Sequence, residues 1–528
     1  MTDELVNVTI DGMQVAVPKG TPIIEAAKQA GVLVPHYCYH PSLPSPAVCR
    51  MCLVEVEKAP KLMPACVTAV AEGQVVHVNS PGAKKAREGV LELLLINHPL
   101  DCPICDQAGE CELQDYVFQE GRKGTRYQEY AKRYNPVEDF GPDVLYVPNR
   151  CILCTRCVRF MEDVADAPVL NVSERGDRAY IGIAEQQRLD HPWAGNVVDL
   201  CPVGSLLSKD FLHKARAWDL DKTASVCPGC TQGCNINIDT RDEVVVRLRP
   251  RPNLEVNRHF MCDYGRMNYR WMNRGDRVEA PLVRDGGRHV ATDWDTALAR
   301  LEQVTRGASG SAVILATGRA STESLGLVRR MLDRFQVTAA VQVPRGDEAP
   351  LAGIPGLALR RERAPNLAGA ELLGYGADWA AAMRAVPGAG LVLVLDADLG
   401  PEDEAALAAA PGIVVMLATV MPESRNAELI LPVTNMAEEN GTYLNRDRRL
   451  QRYLQAKAQP GMARPAWWVA GEVLAGPGPD PSAPATAAEA FALLAERWPV
   501  LAGISHDDLG YTGRPLGETA PAGAGGAR

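Results

Sequence analysis

The sequence predicts a mixed α and β chain of several domains, with small cysteine-rich modules in front and an α/β layer behind. Three observations carry that reading. The chain has 528 residues, several times the ~100–200 of a single domain. All fifteen cysteines lie between Cys38 and Cys262. Beyond Arg277 cysteine vanishes and alanine dominates. There, short apolar runs such as Val313-Ile314-Leu315 and Leu391-Val392-Leu393-Val394-Leu395 alternate with helix-like stretches, the pattern of parallel strands joined by helices.

The elements follow in order. Val6–Ile10 and Gln14–Val17 alternate around Asp11-Gly12, which is a strong hairpin signal. Thr21-Pro22 supplies a helix N-cap and a proline at the first helical position, Ile23, Ile24 and Ala27 mark an apolar face, and Gly31 stops the helix. Hairpin, helix and cysteine-bearing loop together describe a β-grasp ferredoxin over 1–79. From 80 to 139 the pattern is helical, with Val90, Leu93, Leu94 and Ile96 as an apolar stripe before Asn97-His98-Pro99. Further cysteine domains are expected over 140–218 and 219–276, and an α/β region over 277–475. Residues 476–528 read as linker and tail, because Gly476–Pro484 and Thr519–Arg528 are rich in proline, alanine and glycine.

Composition narrows the function classes. With 46% hydrophobic and 23% charged residues the chain is ordinary globular protein. A net charge of −10 gives no footing for nucleic acid, whose phosphates need a basic surface. Apolar runs such as Ile413–Met421 fall short of the ~18 residues that span a bilayer. Met1–Asn7 has no secretory pattern, so the expected compartment is cytoplasmic, where grouped cysteines signify metal or redox chemistry rather than disulfides. Thr317-Gly318-Arg319-Ala320 lacks the G-x-G-x-x-G continuation and reads as a plain strand–helix turn.

The cysteines sort by spacing into groups of four, three, four and four. The first is Cys38-x10-Cys49-x2-Cys52-x13-Cys66, close to the plant-type [2Fe–2S] arrangement, with structural zinc as its competitor. The second is Cys102-x2-Cys105-x5-Cys111. It lacks a fourth thiolate, no spare cysteine exists, and His98 stands close enough to be the missing ligand, with an acceptor expected for its other ring nitrogen. The third is Cys151-x2-Cys154-x2-Cys157 with Cys201-Pro202 downstream, a [4Fe–4S] spacing. In a two-cluster ferredoxin a further cysteine would stand where Met161 is, and three more where His191, Ala194 and Val197 are, so one site is erased and one kept. Arg150, Arg156 and Arg159 around it are read as solvated, with charge compensation as the alternative. The fourth is Cys227-x2-Cys230-x3-Cys234-x27-Cys262, for which a zinc ribbon competes on spacing alone.

The ordered series resembles the large iron–sulfur subunit family of respiratory complex I, NADH–quinone oxidoreductase. The resemblance rests on Pro35-His36-Tyr37-Cys38, Cys49-Arg50-Met51-Cys52-Leu53-Val54-Glu55-Val56, Asn97-His98-Pro99-Leu100-Asp101-Cys102-Pro103-Ile104-Cys105 and Cys201-Pro202-Val203-Gly204. Leu431-Pro432-Val433-Thr434, Glu438, Gly441-Thr442 and Asn445 are similar to a segment of molybdopterin oxidoreductases, so 277–475 is expected to be a truncated relative of that α/β fold. The resemblance implies a [2Fe–2S] on Cys38, Cys49, Cys52 and Cys66. It implies three [4Fe–4S], on His98 with Cys102, Cys105 and Cys111, on Cys151, Cys154, Cys157 and Cys201, and on Cys227, Cys230, Cys234 and Cys262. It implies no catalytic residue and no FMN, NADH or molybdopterin on this chain.

The implied partners are a flavin- and NADH-binding subunit, a two-cluster ferredoxin-like subunit nearer the quinone, and other subunits of a peripheral arm on the cytoplasmic face of the inner membrane. Electrons would enter at the first group, pass to the third and then the second, and leave toward quinone. The main alternative is a formate dehydrogenase-like molybdenum or tungsten enzyme. Against it, Tyr264 stands where those enzymes carry a basic residue, two positions after the last cluster cysteine. An iron-only hydrogenase would need cysteines after Cys262, and none follows.

Overall fold

The computed structural model describes residues 4–128, 132, 134–423, 426–476 and 483–517; the predicted tail Thr519–Arg528 lies outside them. The chain forms two compact units, Met1–Leu220 with Leu351–Pro355, and Asp221–Pro350 with Gly356–Arg528.

The first unit opens with β1 (Leu5–Ile10) and β2 (Met13–Pro18), paired antiparallel with Ile10 opposite Met13. Asp11 and Gly12 both take positive φ, 45° and 85°, as a two-residue turn with matching twist demands. The turn is further tied down by the Asp11 carboxylate, which accepts from Val78 N and Asn79 Nδ2, both at 2.8 Å. With β3 (Leu53–Val56), β4 (Met63–Pro64) and β5 (Gln74–His77) these strands make a sheet of order β2-β1-β5-β3-β4. Helix α1 (Ile23–Gln29) buries Ile23, Ile24, Ala26 and Ala27. The expected capping differs by one residue: Pro22 is the N-cap, because the Thr21 hydroxyl donates back to the Pro18 carbonyl at 2.7 Å.

Helix α2 (Pro81–Asn97) starts on Ser80, whose hydroxyl accepts from Ala83 N, and α3 (Glu112–Glu120) lies against it. Arg87 locks the pair: wholly buried, it donates to the Val78 carbonyl at 2.9 Å and meets Glu120 at 2.9 Å. Of the predicted apolar stripe Val90 and Leu94 pack on the core, but Leu93 is 71% exposed and Leu91 is buried in its place. Periodicity finds the helix but not which of several leucines faces the core. Helix α4 (Arg156–Arg159) runs straight into a π-turn, Phe160–Val164, in which Met161 is fully buried.

In the second unit β6 (Asp221–Val226), β7 (Asn235–Arg241) and β8 (Val244–Pro250) form an antiparallel sheet ahead of the short helix α5 (Asp263–Met267). The predicted α/β layer is a seven-stranded sheet. Its five parallel strands, Ala427–Pro432, Ile413–Ala418, Leu391–Leu395, Ser311–Thr317 and the edge strand Gln336–Gln342, follow in that spatial order, and the hairpin 282–291 extends the opposite edge antiparallel. Leu391–Leu395 is buried throughout, as a strand covered on both faces must be.

The reading of 476–528 as linker and tail fails for 485–517. Helix Ala487–Leu494 is capped by Thr486 and inserts Phe491 and Leu494 into the main core, where Leu501, Leu509 and Leu516 join them. The proline- and alanine-rich composition hides these few anchors. Among the described residues no helix is long and apolar enough to cross a membrane.

Candidate metal centres

The cysteines stand in loops and short helical turns, Cys157 within α4. In the first group, Cys38 and Cys52 are buried, and Ala47 and Arg50 take left-handed φ in the loop between them. That turning brings the Cys38 amide to within 3.5 Å of Cys49 Sγ. Contact with Cys38, and then burial, pushes the Cys49 thiol up; contact with Cys66 pulls Cys52 down. Cys66 in turn feels Cys38, Cys52 and Ser45. The four thiols therefore form one interacting set.

In the second group Cys105 and Cys111 are buried and Cys102 is exposed. The Cys105 and Cys111 thiols are pushed up chiefly by burial, Cys111 to about 11, with Cys102 and Cys105 among its neighbours. His98 is the residue that ends α2. Burial, then the cations of Lys132 and Arg150, hold its imidazole down at about 4, so at neutral pH it carries a free lone pair, as a metal ligand must. Arg150 also acts on Cys105 and so is a common neighbour of the histidine and the thiols. The acceptor expected for the second ring nitrogen is not found among the described residues.

The third group surrounds a cavity. Cys151, Cys154, Cys157 and Cys201 line one small cavity with Tyr146, Ile181 and Val203. Leu153 and Thr155 both take positive φ, 53° and 60°, turning the loop so that Leu153 N approaches Cys151 Sγ at 3.4 Å. Burial raises the thiols, Cys151 and Cys201 to about 11 and Cys154 to about 12. Unligated they are neutral, and binding metal would release protons.

The arginines around this group are not solvated. Arg150 and Arg156 are 7% and 4% exposed. Arg150 pairs with Asp101 at 2.9 Å, and Arg156 pairs with Glu112 through both nitrogens at 2.9 and 3.2 Å. Both carboxylates directly neighbour cysteines of the second group, Asp101 before Cys102 and Glu112, at the start of α3, after Cys111. Arg159 donates to the Cys38 carbonyl at 2.6 Å, Pro44 at 2.5 Å and Cys154 at 3.2 Å. The second and third groups also interlock at Gly204, where a Cβ would stand 2.1 Å from Cys105 Sγ. Cys38, Cys111 and Cys154 share one buried cluster with Tyr37, Met51, Leu91 and Val203, and Cys49 and Cys201 pack on it.

The fourth group lies in the second unit. Its loop closes through Cys227 N to the Cys234 carbonyl at 2.8 Å, and Gly229 N and Gly265 N point at Cys227 Sγ and Cys262 Sγ, each at 3.4 Å. Burial pushes Cys227 up to about 12 and Cys230, Cys234 and Cys262 upward as well. Tyr264 does not leave the site without a cation: Arg363 lies over its ring at 4.6 Å, and both Arg360 and Arg363 act on Cys230. Sequence reading missed these two, although the basic run Arg360-Arg361-Glu362-Arg363 was visible.

Among the described residues no three His, Cys, Asp or Glu side chains converge as they would on a single metal ion. A polynuclear cluster does not ask for that convergence, because its ligands bind different irons. The buried thiols, amides aimed at sulfur and thiol-lined cavity fit such groups.

Five family models match the chain in the predicted order. They are a 2Fe-2S iron-sulfur cluster binding domain (3–81), an NADH-ubiquinone oxidoreductase-G iron-sulfur binding region (87–126), a ferredoxin-like domain of NADH-quinone oxidoreductase subunit 3 (141–207), a molybdopterin oxidoreductase Fe4S4 domain (220–274) and molybdopterin oxidoreductase (374–475). The G subunit of the NADH-quinone oxidoreductase of Rickettsia bellii is 40% identical over 332 residues, 63% of this chain and 48% of its own. The chain is a relative of the large iron–sulfur subunit of NADH–quinone oxidoreductase. The mitochondrial 78 kDa subunit of Neurospora crassa is 43% identical over 66% of this chain and 47% of its own, and the 75 kDa subunit of Reclinomonas americana 41% over 63% and 48%. The chain thus spans about half the length of the curated relatives it matches. A chain of an NAD+-reducing [NiFe]-hydrogenase in the H2-reduced state is 27% identical over 40% of this chain and 90% of its own, with a TM-score of 0.36.

Proposed function

We propose that this chain is the electron-relaying iron–sulfur subunit of an NADH–quinone oxidoreductase. Cys38, Cys49, Cys52 and Cys66 would hold a [2Fe–2S]. His98, Cys102, Cys105 and Cys111 would hold a [4Fe–4S], as would the Cys151–Cys201 and Cys227–Cys262 sets. When bound, these groups supply one-electron chemistry, while the chain buries them, fixes their order and sets their surroundings. The carrying observation is the shared buried cluster of the first unit, which joins thiols of three groups in one water-poor core. The partners in this reading are a flavin- and NADH-binding subunit, a two-cluster ferredoxin-like subunit and other members of a peripheral arm, with the membrane reached only through them.

Anaerobic affinity purification with metal analysis tests the reading. The four sets predict about 14 irons per chain, whereas a zinc-stabilised scaffold would carry about four zincs. Molybdenum or tungsten in the same sample would favour the formate dehydrogenase-like alternative. His98→Cys tests the mixed ligand set: the variant keeps a [4Fe–4S], and the added negative charge lowers its potential in an EPR redox titration. If no cluster signal moves, His98 is not a ligand.

A further inference from the structure

The three arginines around the third thiol set, Arg150, Arg156 and Arg159, are not equivalent. Arg150 and Arg156 each meet a carboxylate, Asp101 and Glu112, so the junction between the second and third thiol sets is close to charge-neutral. Arg159 has no carboxylate within ion-pair distance among the described residues. Its guanidinium instead donates to backbone carbonyls from two sets at once, Cys38 and Pro44 in the first and Cys154 in the third. Two of those acceptors are the carbonyls of ligand cysteines themselves. A cation that feels Asp163 but makes no ion pair with it thus occupies the junction of the Cys38 and Cys151 sets, held by the backbone of both loops. A cation favours the more negative state of any redox group beside it, and it acts more strongly where water is excluded.

We propose that Arg159 is a positioning residue that sets the potentials of the first and third groups together and holds their loops in register. The inference rests on the cluster assignment above. One electron added to either group is stabilised by the same side chain. The two potentials therefore move in the same direction when that charge is removed.

The test is an EPR redox titration of the full chain carrying Arg159→Gln, Arg159→Met or Arg159→Lys. Iron content and cluster signals of the unaltered protein check the assignment separately. The neutral variants are expected to lower the reduction equilibrium of both groups about tenfold, which is about 59 mV for one electron. Arg159→Lys keeps both within about threefold of the unaltered protein. Loss of iron from both neutral variants while Arg159→Lys keeps both groups at their original potentials carries the same conclusion. Unchanged potentials in a neutral variant that keeps its iron, a shift at only one group, or loss of iron in Arg159→Lys would overturn the proposal.

Discussion

The segment similar to molybdopterin oxidoreductases is held by a buried ion pair whose removal has a calculable cost. Glu438 is 0% exposed and Arg277 5%. The carboxylate accepts from Arg277 at 2.5 and 2.8 Å, from the Asn435 amide and side chain at 3.0 Å each, and stands 3.7 Å from the Lys457 ammonium. Without it Arg277 keeps only the carbonyls of Thr419 and Val433, both at 3.0 Å, and remains a charge in a water-poor interior. Stranding one partner of such a pair costs about 3–5 kcal/mol, whereas removing both charges together costs much less. Glu438→Leu is therefore expected to lower the calorimetric melting temperature by roughly 6–15 °C, taking about 2–3 °C per kcal/mol. The double variant Arg277→Met with Glu438→Leu is expected to recover more than half of that loss. A single-variant cost below about 1 kcal/mol, or a double variant no more stable than Glu438→Leu, would refute the reasoning.

Two further expectations concern packing and pH. Leu91→Ala opens a void in the core shared by the thiol groups and should cost about 2–5 kcal/mol in chemical denaturation, while Leu93→Ala on the exposed face should stay within about 0.5 kcal/mol. Burial, opposed by hydrogen bonds from Thr434 and Tyr453, pushes the Glu439 carboxyl up to about 8. A folded-state value above the unfolded one means the stabilisation is whole below about pH 4.5 and is lost as pH rises through about 8. The protein should accordingly lose stability between pH 5 and 8, measured by melting temperature against pH, and Glu439→Gln should lose less over that interval; parallel curves would contradict the assignment.

What was legible in the sequence was local. Asp11-Gly12 specifies its turn by the φ its two residues tolerate, and the runs at 311–317 and 391–395 announce parallel strands because burial on both faces leaves no polar alternation. The cysteine grouping was legible for the same reason, since each loop carries most of its own set. What stayed hidden depends on partners far along the chain. Arg156 and Glu112 are 44 residues apart, Arg159 and Cys38 121. No spacing rule makes a buried bridge out of an arginine that composition would place in water. The register error at Leu93 has the same origin: four apolar residues in one turn and a half of helix leave the choice of buried face to tertiary contact. In 485–517, Phe491 and Leu494 are too few among alanines and prolines to outweigh the local composition.

Gly204 carries a consequence for how separable the front half is. The family models divide this region between 126 and 141, as though two cassettes had been joined. Yet the glycine that follows the third set's last cysteine leaves room for a sulfur of the second set, and Glu112 N donates to the Pro202 carbonyl at 3.0 Å across the same seam. A cassette exchanged at that boundary would bring its own residue to position 204 against a foreign Cys105. The two stretches can be inherited as one block or changed together, but not swapped one at a time.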